Sequence, residues 1–284
     1  MKLTRLTKSN KINLFNQTKL FYILVTFFVL NINFSFADNK KSYVSVEYLP
    51  GWEETDQIIQ GGLAFKLDPS WKTYWRNPGP YGVQPRFTWE DSENVERIEW
   101  SWPEPKIINQ SEIKVLGYDN TLILPLKIVK IDPLQKTYLR LNISFGICSN
   151  ICILKQLEIV RDLSIASKSS TRYLIEDALK TSPREQTNES FIGVKCDFIV
   201  SDGDLWLSHK VFLPVSSPIS ALKILEYSSN LLTFSYENTT GITNEISTSV
   251  PLTKLIKNEG LIQRNLFKAT LFFEGKGLEF NGCE

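Results

Sequence analysis

Histidine and methionine are almost missing from this sequence. Among 284 residues there is one histidine, His209, and one methionine, Met1. Structural zinc sites are built from cysteine and histidine, commonly with cysteines paired at C-x2-C spacing. The four cysteines of this chain do not have that spacing, and a single histidine adds little to them. We therefore predict no metal site of this kind and no cofactor.

Long apolar runs are missing after the first 37 residues, so no membrane span is predicted beyond them. Residues 1–19 contain five basic residues and no acidic one, and an apolar stretch follows from Leu20 to Leu30. Ser35-Phe36-Ala37 then has the small-x-small pattern of a cleavage site. An uncleaved anchor is the alternative, but two asparagines interrupt the run before it reaches spanning length. We predict a cleaved signal peptide over residues 1–37, and hence export.

An excess of positive charge is missing from the remaining chain. Residues 38–284 contain 27 basic and 31 acidic residues, a formal charge of −4. Such a chain has no electrostatic attraction for a polyanion, so nucleic acid is not a predicted partner. These 247 residues exceed the usual size of one domain, which favours two.

Most of the exported chain has the alternation of apolar and polar residues that is typical of β-strands. Turn signals separate the segments, for example at Asp68-Pro69 and Asp132-Pro133. Short strands at this spacing favour an antiparallel β-sandwich. The predicted strands are Val44–Tyr48, Leu63–Leu67, Thr121–Val129, Tyr138–Phe145, Gln156–Val160, Phe191–Val200, Leu205–Leu213, Ile219–Tyr227, Leu231–Tyr236 and Leu266–Phe273.

One segment has helical spacing instead. Between Ser170 and Leu179 the apolar residues recur at intervals of three and four, and a polar stretch follows. We predict a helix and linker over residues 166–187, between a sandwich over 38–165 and a smaller β domain over 188–284.

Four cysteines in an exported protein suggest two disulfides, for which three pairings exist. Three residues separate Cys148 from Cys152, and on one extended strand their Cα atoms would be about 13 Å apart. A disulfide needs them within about 7 Å. Because Ser149-Asn150 favours a turn, we predict a hairpin tip with one cysteine on each arm. So short a loop gives a disulfide little stabilising effect, and at an exposed tip this favours a reactive pair over an inert clip.

Cys196 and Cys283 are far apart and bracket the second predicted domain. A bridge between them would close a loop of roughly 90 residues, for which the chain-entropy model gives about 4–5 kcal/mol. It would also hold a terminus that otherwise frays. We predict a structural disulfide here, without a catalytic role.

Several ordered motifs resemble the amino-terminal domain of DsbD-type thiol:disulfide interchange proteins. The first is Pro69-Ser-Trp-Lys-Thr-Tyr-Trp-Arg-Asn-Pro-Gly79, which is followed by Gly82, Pro85 and Trp89. The resemblance covers residues 45 to 162. It implies an immunoglobulin-like sandwich in the periplasm, whose cysteine pair receives electrons and passes them to other proteins. The remaining motifs are Ile98–Pro105, Gly117-Tyr118, Leu122–Pro125 and Cys148-x3-Cys152.

The resemblance also implies roles for single residues. Cys148 and Cys152 correspond to the redox pair, and a cap loop that shields this pair corresponds to Pro103–Leu116. Within and beside that loop, Glu104 is a candidate cap acid, and Tyr74 and Tyr118 are candidate aromatic walls. A carboxylate beside the pair would raise the pKa of a thiol. The tryptophans are better explained as packing residues: Trp75, Trp89, Trp100 and Trp102.

The second half resembles that of stand-alone family members, which end in a Gly-Cys dipeptide, here Gly282-Cys283. The full interchange protein also has a multi-span membrane domain and a thioredoxin-like domain, and this sequence contains neither. The resemblance therefore implies an external partner, either a thioredoxin-like protein or a membrane electron carrier.

Three functions are compatible with these features. The first is a periplasmic thiol–disulfide exchange protein, which acts through Cys148 and Cys152. The second is a Cu(I)-handling protein, since C-x3-C also occurs in soft-metal sites and two thiolates alone can hold Cu(I). Against it, Met1 is lost with the leader and His209 lies in the other predicted domain. The third is a non-catalytic binding sandwich. Whether the chain is itself an oxidoreductase stays open.

Overall fold

The computed structural model describes residues 42–79, 81–110, 113–163, 170–185, 193–227, 232–273 and 276–283. The predicted signal peptide lies outside this part of the chain. Two α-helices are present within it, α1 (Arg172–Thr181) and α2 (Thr253–Glu259), and neither is long and apolar enough to cross a membrane. The strands are β1 (Val44–Thr55), β2 (Ile58–Leu67), β3 (Lys72–Tyr74), β4 (Arg86–Thr88), β5 (Val95–Trp100), β6 (Lys106–Gln110), β7 (Ile113–Asp119), β8 (Thr121–Lys130), β9 (Tyr138–Cys148), β10 (Cys152–Asp162), β11 (Pro183–Glu185), β12 (Gly193–Ser201), β13 (Asp204–Tyr227), β14 (Leu232–Pro251), β15 (Phe267–Phe273) and β16 (Lys276–Asn281).

The first ten strands form an antiparallel β-sandwich, which confirms the predicted fold class. One sheet has the order β1-β2-β8-β5, and the other has the order β10-β9-β3-β7-β6, with β4 also paired to β9. Both β8 and β9 direct alternate apolar residues into the space between the sheets, where Phe65 and Phe145 meet edge to face at 5.2 Å. This period-two burial is what the sequence alternation predicts.

Strand β2 is buried on both faces because α1 covers its outer side. Ile175 of the helix is fully buried and packs with Leu49 and Ala64. A Cβ on Gly62 would lie 3.1 Å from Ile175, so glycine gives the helix room to approach. The helix begins and ends two residues later than the segment predicted from the sequence.

A further β domain follows the helix, again as the fold class predicts. Its sheet has the order β11-β16-β15-β13-β12, with β14 also paired to β13. Two details differ from the sequence prediction. Pro183–Glu185, expected within the linker, pairs in parallel with β16. The two strands predicted between Leu205 and Tyr227 form one strand, whose pairing is irregular between Phe212 and Ser217.

The second half of β13 separates two hydrophobic cores. Leu222 and Ile224 point toward the sandwich and belong to its core. Ala221, Leu225 and Tyr227 alternate with them and belong to the core of the further domain. Because successive side chains of a strand point to opposite faces, this one strand is shared by both cores.

A buried ionic cluster joins the sandwich to the further β domain. Arg76, from the loop after β3, contacts Glu226 and Glu279, each at 2.6 Å. It also donates a hydrogen bond to Thr270 at 3.0 Å, and the side-chain amide of Asn77 donates to Glu226 at 3.3 Å. Burial opposes the charge on Arg76, but the two carboxylates outweigh it and raise its pKa. The segment that follows Tyr74 therefore connects the two parts of the chain.

Candidate functional site: a disulfide at a hairpin tip

The turn between β9 and β10 brings Cys148 and Cys152 together. They are the last opposed pair of the antiparallel ladder, are joined as a disulfide and have Cα atoms 4.1 Å apart. Within the turn, the backbone N–H of Ser149 donates to the carbonyl oxygen of Ile151 at 3.0 Å. The hydroxyl of Ser149 is also 3.3 Å from that of Ser70, which ties the turn to the chain that leads into β3.

The two sulfurs have different environments. Cys148 is fully buried, in a small cluster with Tyr74, Ile108 and Val115, against which Val83 packs. Cys152 is exposed. The spacing argument predicts an exposed tip. In the structure Cys152 is exposed as predicted, but Cys148 is buried. A nucleophile from solvent can therefore reach Cys152 more readily than Cys148, and Cys148 is the sulfur that leaves when Cys152 is attacked.

Tyr74 forms a hydrogen bond with the disulfide. Its hydroxyl oxygen is 2.7 Å from Sγ of Cys148 and 3.7 Å from Sγ of Cys152. A disulfide sulfur carries no hydrogen, so Tyr74 is the donor in this state. After the S–S bond opens, the same donor can bond to a thiolate at Cys148, which would lower the pKa of that thiol.

Two glycines allow the Tyr74 ring to lie against the pair. A Cβ on Gly146 would lie 3.0 Å from Cε2 of Tyr74 and 2.6 Å from Cβ of Val83. A Cβ on Gly82 would lie 3.0 Å from Cδ1 of Tyr74. Real Cβ atoms rarely approach so closely, so larger residues at either position would displace the tyrosine ring.

The segment predicted as a cap loop is mainly a β-hairpin. Strands β6 and β7 pair from Lys106 to Gly117, and β7 also pairs with β3 beside the disulfide. Ile108 on β6 and Val115 on β7 both pack against Cys148. Part of the predicted segment thus covers the buried sulfur.

Glu104 and Tyr118 are not brought to the pair. The hydroxyl of Tyr118 donates to the carbonyl oxygen of Pro103 at 2.7 Å, and its ring belongs to the main core of the sandwich. Burial raises the pKa of Tyr118 well above its ordinary value. The positive charge of Arg76 opposes this increase, and the negative charge of Glu104 adds to it. Solvent reaches Glu104, but burial of part of its side chain still raises its pKa. No hydrogen bond links it to either sulfur among the described residues.

Sequence reasoning missed Lys72. It lies directly opposite Cys148 in the ladder of β3 and β9, and opposite Asp119 in the ladder of β3 and β7. Side chains of directly opposed residues lie on the same face of a sheet, close enough to interact. A cation there would favour a thiolate at Cys148, whereas Asp119 on the same face would oppose it. Alternation places Lys72 on the same face as Tyr74, but no local signal indicated that β3 pairs with β9.

Cys196 and Cys283 form the other disulfide, with Cα atoms 5.5 Å apart. Both cysteines are buried in the core of the further β domain. His209 lies opposite Cys196 on the neighbouring strand and is fully buried. Burial, and then the nearby Lys223, lower the pKa of His209 to about 3, so this imidazole is neutral at neutral pH. Neither sulfur is accessible to a protein partner in this state.

Comparison with known proteins now identifies the sandwich. Residues 45–164 match the family described as the N-terminal domain of the thiol:disulfide interchange protein DsbD. This segment belongs to the DsbD N-terminal domain family. The matched segment contains both Cys148 and Cys152. Together with their disulfide, the family supports a role in thiol–disulfide interchange and interactions with thiol-redox partners.

Solved structures show that the fold extends beyond that segment. The N-terminal periplasmic domain of ScsB from Proteus mirabilis is 18% identical to this chain, with a TM-score of 0.61. The match covers 86% of this chain and 95% of the ScsB domain, so the sandwich and the further β domain are both part of it. A DUF4785 family protein from Legionella pneumophila matches with 9% identity and a TM-score of 0.20, over 86% of this chain and 57% of its own. No curated protein gives a significant match.

Proposed function

We propose that the protein is exported to the periplasm and exchanges electrons there, through the Cys148–Cys152 disulfide, with a thioredoxin-like protein or a membrane electron carrier. Support comes from the family of residues 45–164, from the leader-like residues 1–37 and from the likeness to a periplasmic domain. The proposed domain limits follow the sequence prediction, with the sandwich over 38–165 and the further domain over 188–284, to which Pro183–Glu185 is added because it pairs with β16.

The observation that carries this proposal is the asymmetry of the disulfide. One sulfur, that of Cys152, is exposed to a partner, while the other is buried and accepts a hydrogen bond from Tyr74. Exchange is faster when the leaving thiol has a low pKa. The buried sulfur has a hydroxyl donor, and a lysine opposite it in the ladder, to stabilise the thiolate that leaves.

The exchange proceeds in two steps. A partner thiolate attacks Sγ of Cys152, the S–S bond breaks, and Cys148 leaves as a thiolate that takes up a proton. The partner's second thiolate then attacks the sulfur of the partner's first cysteine in the mixed disulfide, and Cys152 is released. Two electrons and two protons pass to the cysteine pair, and the partner becomes a disulfide. The reverse direction begins with Cys152 as the nucleophile, and Cys148 resolves the mixed disulfide.

Trapping tests the proposal. In Cys148→Ser the exposed cysteine keeps its thiol but has no resolving partner, so a mixed disulfide should persist. A non-reducing gel of a periplasmic extract should show an adduct that disappears with reductant. Wild type should show little adduct, because Cys148 releases the partner.

Cys152→Ser is the matched variant. Its remaining thiol, that of Cys148, is buried, so we expect much less adduct than with Cys148→Ser. Absence of any adduct with both variants would contradict the proposal. Tight Cu(I) binding by the reduced wild type, in the absence of trapping, would favour a copper-handling protein. Absence of both would favour a binding sandwich.

A further inference from the structure

A polar groove lies on the same sheet face as the disulfide. Its volume is about 610 Å³, and its lining also includes Ile143 and Leu157. We call it the Arg86 groove. Its polar lining residues are Arg86, Thr88, Asn142, Ser144 and Gln156.

The strand pairing places these side chains on one face. Arg86 is opposed to Ser144 and Thr88 to Asn142 in the ladder of β4 and β9. Gln156 is opposed to Ser144 on the other side, in the ladder of β9 and β10. Directly opposed residues, and residues two apart on one strand, share a face. The groove therefore crosses three adjacent strands.

The sheet face that carries the groove also carries the cysteine pair. Ser144 and Cys148 are four residues apart on β9, so they share a face and are about 13 Å apart along the strand. On β10, Leu154 lies between Cys152 and Gln156 and is 60% exposed. A chain that lies along this face can contact Cys152, Leu154 and the groove in turn.

Arg86 is the charge in this groove that lacks a counter-ion. Arg97 and Arg140 form ion pairs within the sandwich, and Arg76 pairs with Glu226 and Glu279 of the further domain. Arg86 has no ion pair or hydrogen bond with any residue that the structure describes, and it is exposed. The nearest acid on the same face of β10 is Glu158, which is already bound by Arg140 at 2.7 Å. The groove therefore presents an unneutralised cation surrounded by hydroxyl and amide groups.

We propose that the Arg86 groove binds an extended, acidic segment of the thiol-bearing partner, whose carboxylate contacts Arg86 while its cysteine lies at Cys152. Guanidinium groups bind carboxylates with two parallel hydrogen bonds, and the neighbouring amides and hydroxyls suit a polypeptide backbone. The distance along the strand sets the spacing. The acidic residue of the partner lies two or four positions from its cysteine, because side chains of an extended segment share a face at even spacings and the long Arg86 side chain shortens the reach required.

This inference rests on the proposed function and can be tested with synthetic peptides. Each peptide carries one cysteine, activated as a mixed disulfide with 2-thiopyridine, and either Glu or Gln four positions away. The reduced Cys148→Ser variant supplies the Cys152 thiolate, which attacks the peptide sulfur. The new disulfide joins Cys152 to the peptide, and 2-thiopyridone leaves and is measured by its absorbance.

We expect the Glu peptide to react roughly two- to fivefold faster than the Gln peptide at low salt, the range expected for one exposed ion pair. The preference should disappear at high salt. The preference for the Glu peptide should also disappear in Arg86→Gln and persist in Arg86→Lys. In Arg86→Glu it should reverse, so that a peptide with Lys at the same position reacts faster than the Glu peptide. Arg97→Gln, on the opposite sheet, is the matched control and should keep the wild-type preference.

The outcomes separate this inference from the proposed function. Equal rates for the Glu and Gln peptides, with exchange still rapid, would overturn the groove assignment and leave the proposed function intact. Failure of both peptides to react would contradict the proposed function itself. If activated glutathione reacted as fast as the Glu peptide with the same dependence on Arg86, the occupant would be a small acidic thiol instead of a protein segment.

Discussion

The two disulfides of this protein have almost opposite properties. The Cys148–Cys152 bridge joins residues four apart in sequence, has one exposed sulfur and lies at the end of a hairpin. The Cys196–Cys283 bridge joins residues 87 apart, and both of its cysteines are buried. The first is accessible and has a hydrogen-bond donor for its buried sulfur; the second is enclosed in a core beside a neutral histidine.

Under the proposed function, the two bridges use the same kind of bond for different purposes. The loss of chain entropy on bridging grows with loop length, so the long loop contributes about 4–5 kcal/mol and the short one about 2 kcal/mol. Reactivity instead depends on access to one sulfur and on stabilisation of the leaving thiolate. We therefore assign exchange to the first bridge and stability to the second.

Removal of the long-range disulfide should have the largest effect. The double variant Cys196→Ala/Cys283→Ala should lose about 4–5 kcal/mol of unfolding free energy, because its unfolded state regains the entropy of the long loop. Cys148→Ala/Cys152→Ala is the matched variant and should lose less than half as much. Denaturant unfolding of both variants measures the difference. Equal losses of unfolding free energy in the two variants would contradict the assignment of stability to the Cys196–Cys283 bridge.

Removal of Arg76 should be the next largest effect. Arg76→Met leaves Glu226 buried without its cation and leaves Glu279 with Lys268 alone, which costs about 3–5 kcal/mol. Thermal or denaturant unfolding measures this loss. Arg97→Met, an exposed arginine on β5, is the control and should have little effect.

The same cluster should make stability depend on pH. Burial opposes ionisation of Glu279, but Arg76 and then Lys268 outweigh it, so its native pKa is below the ordinary value of 4.5. A lowered acid pKa stabilises the fold above the unfolded-state pKa, and this contribution is lost as the pH falls through the native pKa. Unfolding free energy should therefore decrease below pH 4.5, and Arg76→Met should lose part of that dependence. A decrease of the same size in the variant would exclude this cluster as its source.

The two bridges should also differ in reduction. Cys148 and Cys152 should react with a maleimide at a dithiothreitol concentration roughly tenfold lower than Cys196 and Cys283, because only the first bridge has an accessible sulfur. Mass mapping of labelled peptides gives the order. Simultaneous labelling of all four cysteines would show that burial does not protect the second bridge.

The smallest expected effect concerns Tyr74. Tyr74→Phe keeps the ring against Cys148 but removes the hydroxyl donor, so the pKa of the Cys148 thiol should rise. Exchange should then be about five- to tenfold slower, since Cys148 is a poorer leaving group. Thiolate absorbance in a pH titration of reduced Cys152→Ser, with and without Tyr74→Phe, measures the shift. An unchanged pKa would limit Tyr74 to a packing role.

Local patterns predicted the strands around the disulfide well. The sequence indicated Thr121–Val129 and Tyr138–Phe145, and the strands are Thr121–Lys130 and Tyr138–Cys148. The alternation was clear there because each strand has one face in the core. The hairpin tip followed from cysteine spacing and turn residues. The placement of Tyr74 beside the pair came from the family resemblance alone.

Contacts between distant segments could not be predicted in this way. Arg76 meets Glu226 across 150 residues, and Lys72 lies opposite Cys148 only because β3 pairs with β9. The sequence contains no local signal for either pairing. The role of Glu104 as a cap acid stays a prediction: its side chain is exposed and interacts with Tyr118. Strand alternation gives the face of a residue, whereas strand order decides its neighbours.

The central claim is that a partner attacks Cys152 and leaves Cys196–Cys283 intact. The most direct test mixes the oxidised protein with a reduced thioredoxin-type protein that lacks its resolving cysteine, quenches the reaction with acid and maps the adduct by mass spectrometry. We predict a mixed disulfide at Cys152, a free thiol at Cys148 and an intact Cys196–Cys283 bridge. An adduct at Cys196 or Cys283, or one predominantly at Cys148, would contradict the assignment.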